Sequence, residues 1–235
     1  MTNLTTDSLD CAVFQQQGLN LSAVLNIEAL PHNLTQWISE EERCRYSQLL
    51  ILGHGGTQLW QVIQAQRHLR GVDDPIDQFV GEVVANSLGK TDTQYTLVYP
   101  GPRMVDLQAF GRYLGWHEDT PFLLGMHQQW GTWFAYRGLV LMSSTFVASE
   151  VILQSQKSQC ECCEELPCIS ACPANAISMS HFSMDLCVAY RKTEMSKCAK
   201  TCLAREACPV ATQHRYSKEQ MDYHYELSRL TIMSL

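Results

Sequence analysis

No apolar run in this chain of 235 residues approaches the ~18 residues that a membrane-spanning helix takes. The N-terminus has no basic, apolar signal region, which argues against a secreted disulfide scaffold. There is no low-complexity tract, and nothing repeats apart from two sets of cysteines. The glycine-rich turn His54-Gly55-Gly56-Thr57 has neither the Walker lysine nor a three-glycine fingerprint, so it reads as a tight turn with His54 at its edge. His32, His68, His117, His181, His214 and His224 show no i, i+4 pairing and define no mononuclear metal site. Cationic side chains are in deficit: 17 Lys and Arg stand against 24 Asp and Glu, a net charge of −7. That balance disfavours nucleic acid as a main partner, because phosphate binding wants clustered Lys and Arg.

What the chain does have is thiols, and they are concentrated. Nine of eleven cysteines lie between Cys160 and Cys208, at 160, 162, 163, 168, 172, 187, 198, 202 and 208. Cys168-Ile-Ser-Ala-Cys172-Pro173 and Cys208-Pro209 place proline directly after a cysteine. This approximates the ferredoxin run C-x2-C-x2-C-x3-C-P, whose last cysteine serves a second cluster, with the second gap lengthened to the four residues Glu164 to Pro167. A four-iron cubane needs thiolates converging from several directions. Closely spaced cysteines on a turning loop supply three, and the fourth comes from far along the chain. The spacing therefore groups Cys160, Cys163, Cys168 and Cys208 on one [4Fe-4S] cluster and Cys172, Cys187, Cys198 and Cys202 on another. Cys162 is a spare, or replaces Cys160 or Cys163. A single cluster with idle thiols is the main alternative, and the altered gaps keep it open. Zinc usually takes paired C-x2-C knuckles, which the C-x3-C-P units match poorly. Cluster ligands must be reduced, so a cytoplasmic location is expected. Cys11 and Cys44, outside this region, read as small core residues.

Residues 1–8 are polar and expected to be loose. Ser8 to Gly18 reads as a short helix stopped by glycine, and Leu19 to Glu28 as a strand. Thr35 to Glu41 reads as a helix start capped by threonine, and Ser47 to Gly53 as a buried strand leading into a helix over Gln58 to Ala65. Pro75 to Gly89 is a marked helix, with Asp74 to cap it, Pro75 at its first position and an apolar stripe of Ile76, Phe79, Val80, Val83 and Val84. Tyr95 to Tyr99 reads as a strand, Met104 to Leu114 as a helix. Phe122 to His127 and Gly131 to Met142 read as strands about the loop 128–130. The second is apolar nearly throughout and is expected at the centre of its sheet. Arg137 within it needs a partner or an anionic ligand. Residues 146–156 link to the cysteine region, a helical stub is expected over Ala174 to Ser180, and a serine-capped helix over 214–225 ends the chain.

Several segments resemble known proteins. Gly101-Pro102 through Gly115-Trp116, then Gly131-Thr-Trp-Phe134, is similar to the G-P…LGW…GSWF series of epoxyqueuosine reductases. Asp185-Leu-Cys187-Val-Ala-Tyr190 resembles their R-C-I-S-Y element, which supplies a lone ligand between two cysteine sets. Asp74-Pro-Ile-Asp-Gln78 is similar to the D-P-V-D-Q of cobalamin-processing decyanase and dealkylase proteins. His127 with Gly131-Thr-Trp-Phe-Ala-Tyr-Arg-Gly138 resembles their H-P-x-F-G-G-W-F-A-I-R-G, and Arg215-Tyr-Ser-Lys-Glu-Gln220 their R-Y-S-E-E-Q. The resemblance touches most of the chain from about residue 74 onward. It implies an α+β fold with a flavin-nitroreductase-like, cobalamin-binding domain and a ferredoxin-like module; the change of composition near residue 150 sets the first at 1–150 and the second at 151–212, with a C-terminal helix over 213–235 expected to pack on the first domain. It further implies a corrinoid bound by Tyr99, His127, Trp133, Phe134 and Arg137. Tyr99 stands where the epoxyqueuosine reductases carry a proton-donating aspartate, a departure that argues against tRNA reduction.

The expected function is accordingly an iron–sulfur protein that binds cobalamin and reduces it or removes its upper ligand, supplied with electrons by a redox donor protein, as a monomer or homodimer. The alternatives are a ferredoxin-like electron carrier without cobalamin and a cobalamin-dependent reductase of a small molecule. FMN, the older cofactor of such a fold, would want basic side chains around its phosphate; Arg43, Arg45, Arg67 and Arg70 read instead as solvated helix charges.

Overall fold

The computed structural model describes residues 8–151 and 158–234. They form two compact units, 8–114 with 135–151 and 115–134 with 158–234. The division expected along the sequence runs in series, whereas each compact unit is discontinuous. The loose start over 1–8 and the link over 146–156 fall wholly or partly outside the described residues.

The first unit contains, in order, helix α1 (Cys11–Gln16), strand β1 (Leu21–Asn26), helices α2 (His32–Thr35) and α3 (Glu40–Arg45), strand β2 (Gln48–Gly55), helices α4 (Gln58–Ala65) and α5 (Pro75–Leu88), strand β3 (Gln94–Tyr99), helix α6 (Leu107–Leu114) and strand β4 (Phe134–Ser143), whose first residue is counted with the second unit. The strands form one sheet in the order β1-β2-β4-β3. β1 and β2 are antiparallel from Leu21↔Gly53 to Asn26↔Gln48. β3 and β4 are antiparallel from Gln94↔Ser143 to Leu97↔Val140, with a register shift before Tyr99↔Leu139. Between β2 and β4, the Ser47 N–H donates to the Met142 carbonyl at 3.0 Å, while Gly53 lies against the Ala135 carbonyl. The numbering thus runs oppositely, and the sheet is antiparallel throughout. β4 is interior, as its apolar run led one to expect. β2 is buried at every position, which happens only when both faces of a strand are covered. Leu49 to Leu52 and Leu139 to Met142 form the centre of this core.

Local chemistry places the ends of these elements. Asp10 accepts from the Ala12 N–H at 3.0 Å and starts α1. Thr35 was expected to open a helix, but it ends α2, and Ser39 caps α3. Three residues after Thr35 stands Ile38, which cannot complete a capping box. Three residues after Ser39 stands Glu42, whose carboxylate accepts from the Ser39 N–H at 3.0 Å while the Ser39 hydroxyl accepts from the Glu42 N–H at 3.2 Å. Asp74 occupies the N-cap of α5, though its side chain makes no capping bond, and Pro75 supplies the preset φ. His54 is not at the edge of a turn. It lies inside β2 and is 1% exposed. Cys44 is exposed and Cys11 half-buried, so neither is the core residue its neighbours suggested.

The second unit contains helices α7 (Pro167–Ser170), α8 (Met184–Lys192), α9 (Leu203–Ala207) and α10 (Lys218–Met233). α7 packs on α9 and α8 on α10. Ser183 caps α8 and Ser217 caps α10, each accepting an N–H from three residues on. Phe122 to His127 is not a strand. Leu123 has a φ of +62°, which bends the segment, and only the bridges Glu118↔Met126 and His127↔Gly131 remain. The stub expected over Ala174 to Ser180 is not helical either. Asn175 turns left-handed at φ +50°, and Ile177 then bridges to Phe182. Gly125 is required by contact, since a Cβ there would lie 2.4 Å from His117 Nδ1.

Gly18 ends α1 at φ +82°, and a Cβ on it would stand 2.5 Å from the Leu59 backbone. Gly71 has a similar φ of +79° with nothing within 4 Å. Gly71→Ala should therefore cost about 1 kcal/mol, the conformational term alone, and Gly18→Ala at least ~1 kcal/mol more from the clash with backbone. Urea midpoints of the two variants against the parent check this.

Candidate functional site

All eleven cysteines are free thiols. Eight of them fall into two groups within the second unit. Cys168 lies in α7 and Cys208 is the C-cap residue of α9; with Cys160 and Cys163, on the turn before α7, they make the first group. Cys172 follows α7 and Cys202 is the N-cap residue of α9; with Cys187 on α8 and Cys198 in the loop beyond it, they make the second. α7 and α9 thus run oppositely, each placing one cysteine in each group.

The electrostatics follow the same partition. The Cys160 thiol is pushed up to about 11, by burial first and then by the sulfurs of Cys208, Cys168 and Cys163, with Glu118 adding to it. Cys168 and Cys208 are raised by burial and then by sulfurs of the same group. Cys187, Cys198 and Cys202 are each raised by burial, with the other sulfurs of the second group contributing. A thiolate in either group is therefore destabilised by its neighbours unless positive charge is placed among them. Backbone N–H groups point at several sulfurs and act the other way: those of Ala204 and Arg205 on Cys202, Leu203 on Cys198, and Val210 on Cys208. Cys162, by contrast, is exposed.

The second group surrounds a cavity of about 130 Å³ whose remaining wall includes Phe122, Leu124, Ile177, Phe182, Tyr190 and Tyr225. Its size is on the order of an engineered cavity that admits benzene. Among the described residues, no group of three or more His, Cys, Asp or Glu could hold a single metal ion. Cys172, Cys187, Cys198 and Cys202 stand around this space. Arg191, 9% exposed, braces the rim. It donates from Nε to the Cys198 carbonyl at 3.3 Å, and from its two terminal nitrogens to Ser228 Oγ at 3.0 Å and the Tyr225 carbonyl at 2.9 Å. It ties the cysteine loop to α10.

The residues expected to hold a corrinoid divide between the units. Tyr99 and Arg137 belong to the first; His127, Trp133 and Phe134 belong to the second. In the first unit, Arg137 donates from Nε to His54 Nδ1 at 3.1 Å. Asp77, in the first turn of α5, has its carboxyl raised by burial, an effect that Arg137 opposes and Asp74 reinforces. The Tyr99 phenol is raised by burial, opposed by Arg137 and reinforced by Asp77. Four polar side chains from β2, β3, β4 and α5 thus converge. The sequence reading did not place His54 or Asp77 among the site residues. The partner that Arg137 required was the available signal, and Asp77 lies in the very segment that resembles D-P-V-D-Q.

In the second unit, His127 is 8% exposed and its ring packs 5.5 Å from that of Phe134. Its Nδ1 accepts from the backbone N–H groups of Gln129 and Trp130, at 3.1 and 3.3 Å. The neutral ring therefore carries its proton on Nε2, which makes that nitrogen a donor. Burial pulls its pKa down to about 4. Trp133 is 1% exposed, with the Arg205 guanidinium 4.5 Å over its ring and the Tyr216 ring 5.6 Å away. Arg205 also stands 4.7 Å over Tyr216 and donates to the Thr132 carbonyl. Tyr216 and Gln220, from the segment that resembles R-Y-S-E-E-Q, thus pack in the same unit as Trp133.

This α+β fold is shared with several solved structures. The chain is similar to an epoxyqueuosine reductase solved with an epoxyqueuosine-modified tRNA stem loop, at TM-score 0.53 and 10% identity, over 88% of this chain and 66% of that one. It is similar to the C. elegans B12-trafficking protein CblC, at TM-score 0.50 and 12% identity, over 96% and 94% of the two chains. It also resembles a reductive dehalogenase whose structure suggests a mechanism for B12-dependent dehalogenation, at TM-score 0.53 and 14% identity, over 99% of this chain and 37% of that one. The chain thus spans about two thirds of the reductase and little more than a third of the dehalogenase. At such identities the likeness is one of fold. No family model matches the chain, and no curated protein does. Among the described residues no helix is long and apolar enough to cross a membrane.

His127 gives a pH signature. Its folded pKa of about 4 lies below the ordinary value of 6.5, so the unfolded chain takes up the proton first. The stability it contributes is complete above pH 6.5 and is lost as pH falls through the folded value. His127→Asn keeps an acceptor for the two N–H groups and removes the titration. The parent should lose about 3 kcal/mol relative to this variant between pH 7 and pH 4, as read from urea unfolding at each pH.

Proposed function

We propose that this protein is an iron–sulfur redox protein that binds a corrinoid and reduces it or removes its upper ligand. The observation that carries the reading is the sorting of eight cysteines into two groups of four, one of them around a cavity of about 130 Å³. In this reading Cys160, Cys163, Cys168 and Cys208 hold one [4Fe-4S] cluster, and Cys172, Cys187, Cys198 and Cys202 hold the other. The first unit is read as a flavin-nitroreductase-like domain and the cysteine region as a ferredoxin-like module, in keeping with the fold likeness to B12 proteins. When bound, the clusters supply single electrons at low potential, and the corrinoid supplies the cobalt that accepts them.

The chain's own residues do the rest. The groups of thiolates need positive charge among them, which iron provides, and the backbone N–H groups of α9 stabilise the sulfurs that remain charged. Arg191 fixes the Cys198 loop to α10. His127, protonated at Nε2, is suited to donate a hydrogen bond to a side-chain amide of the corrinoid rather than to ligate cobalt. Phe134 offers an apolar surface beside it. Trp133, being fully buried, sets the position of that segment rather than touching ligand. Tyr99 keeps its proton over the physiological range, because burial raises its pKa, and so remains a donor. Arg137 supplies a partly compensated positive charge beside it.

The test is compositional and spectroscopic. Protein purified without oxygen should contain about eight iron atoms and about eight sulfides per chain. Cys187→Ser should remove about half of the iron, and Cys162→Ser should remove none. Hydroxocobalamin should change its visible spectrum on titration with the protein. Iron-free protein would overturn the cluster assignment; an unchanged cobalamin spectrum would leave the electron-carrier reading in its place.

A further inference from the structure

Charge along this acidic chain is unevenly placed. Residues 191–218 hold seven Lys and Arg against two Glu, whereas the remainder holds ten against twenty-two Asp and Glu. Two of the seven, Arg191 and Arg205, are buried. The others face outward from the segments that carry Cys198, Cys202 and Cys208.

The geometry of the loop between α8 and α9 is specific. Its inner side supplies Cys198, 8% exposed, to the cavity wall. Its outer side displays Lys192, Lys197 and Lys200, with Met195 at 89% exposure among them. The loop is closed on itself, with Ser196 N–H to the Thr193 carbonyl at 3.3 Å, Ala199 N–H to the Ser196 carbonyl at 3.2 Å, and Lys197 N–H to the Tyr190 hydroxyl at 3.4 Å. Beside it an open hollow of about 620 Å³ is walled by Lys197, Lys200, Arg215, Lys218, Glu206 and Asp222. Lys218 pairs with Asp222 and Lys200 reaches Glu226 at 3.5 Å, pairs that are solvent-exposed on at least one side, and Glu194 stands exposed between Lys192 and Lys197, so the basic excess is that of the loop, three Lys against one Glu. A single layer of backbone therefore separates a cationic surface with an apolar centre from the second cysteine group.

We propose that this surface is the docking site of an acidic one-electron carrier protein, and that electrons enter at the cluster held by Cys172, Cys187, Cys198 and Cys202. The proposal rests on the cluster assignment above. The carrier loses one electron, the cluster gains one, and no proton or bond is exchanged. Charge complementarity selects the occupant: an acidic surface is drawn to Lys192, Lys197 and Lys200 while the rest of this chain repels it, so the field orients the encounter. The loop's apolar centre suits a brief contact, because small interfaces with a charged rim favour rapid turnover.

The experiment uses full-length protein with measured iron and sulfide, and a reduced plant-type [2Fe-2S] ferredoxin as the acidic probe. Rapid-freeze EPR distinguishes the two cluster types during transfer. At low ionic strength, Lys192→Glu, Lys197→Glu and Lys200→Glu together should slow transfer about tenfold or more, and added salt should no longer lower the rate. The corresponding Gln variants should fall between. A control of equal charge change in the first unit, Arg45→Glu, Arg70→Glu and Lys90→Glu, should stay within about twofold of the parent. Transfer indifferent to the loop charges, or slowed equally by the control, overturns the proposal while leaving the clusters in place. Loss of binding to a tRNA stem loop in the loop variants, with ferredoxin transfer unchanged, assigns the surface to RNA and overturns it too. Protein without iron and sulfide overturns both this proposal and the function it rests on.

Discussion

Four thiolates cannot be buried side by side without positive charge among them, and the second unit twice brings four cysteines together. Its two shortest helices do the arranging. The start of α7 meets the end of α9 at one cysteine group, and the end of α7 meets the start of α9 at the other. Ala204, 1% exposed, fills the space between with Phe122, Cys168 and Ile177, so a single small core fixes both groups. Helices of four and five residues would not hold alone in water. They hold here through packing against each other and through whatever satisfies the sulfurs.

Arginine is used differently in the two units. In the second, Arg191 and Arg205 are buried structural cations that spread their donors over carbonyls and their faces over Tyr225, Trp133 and Tyr216. That is work a lysine would do poorly, since it lacks the planar fork. In the first, Arg137 lies among His54, Asp77 and Tyr99, groups whose protonation it influences. Clusters of titratable groups whose environments oppose one another mark sites more often than they mark scaffolds. That is why the cluster, rather than Arg137 alone, is the feature of the first unit that bears on function.

Net charge misleads in this protein because it averages over a polarised chain. The same −7 that argued against polyanionic partners conceals a basic stretch around the second cysteine group. A fold shared with a tRNA-bound reductase, a B12-trafficking protein and a dehalogenase leaves the class of substrate to side chains. Tyr99 is the clearest of these departures, a phenol that burial keeps protonated at a position where an aspartate was expected by resemblance.

What could be read from the residues alone was what depends on near neighbours. Pro75 and the apolar stripe mark α5, Gly18 stops α1, and the apolar run of β4 puts it inside its sheet. Cysteine spacing likewise proposes groups of ligands, because loops bring close neighbours together. Near neighbours also misled where two signals competed: Thr35 looked like a cap, but only Ser39 has a glutamate three residues on. The rest was decided by contacts that sequence distance hides. Arg137 finds His54 on another strand and Asp77 on a helix. Leu123 takes left-handed backbone that its side chain does not favour, Asn175 takes the same region, which asparagine tolerates, and so a strand and a helix expected there do not form. The start of α5, the stop of α1 and the interior place of β4 were set by local pattern, whereas the polar cluster, the cysteine-walled cavity and the proton on His127 Nε2 exist only because distant segments fold against one another.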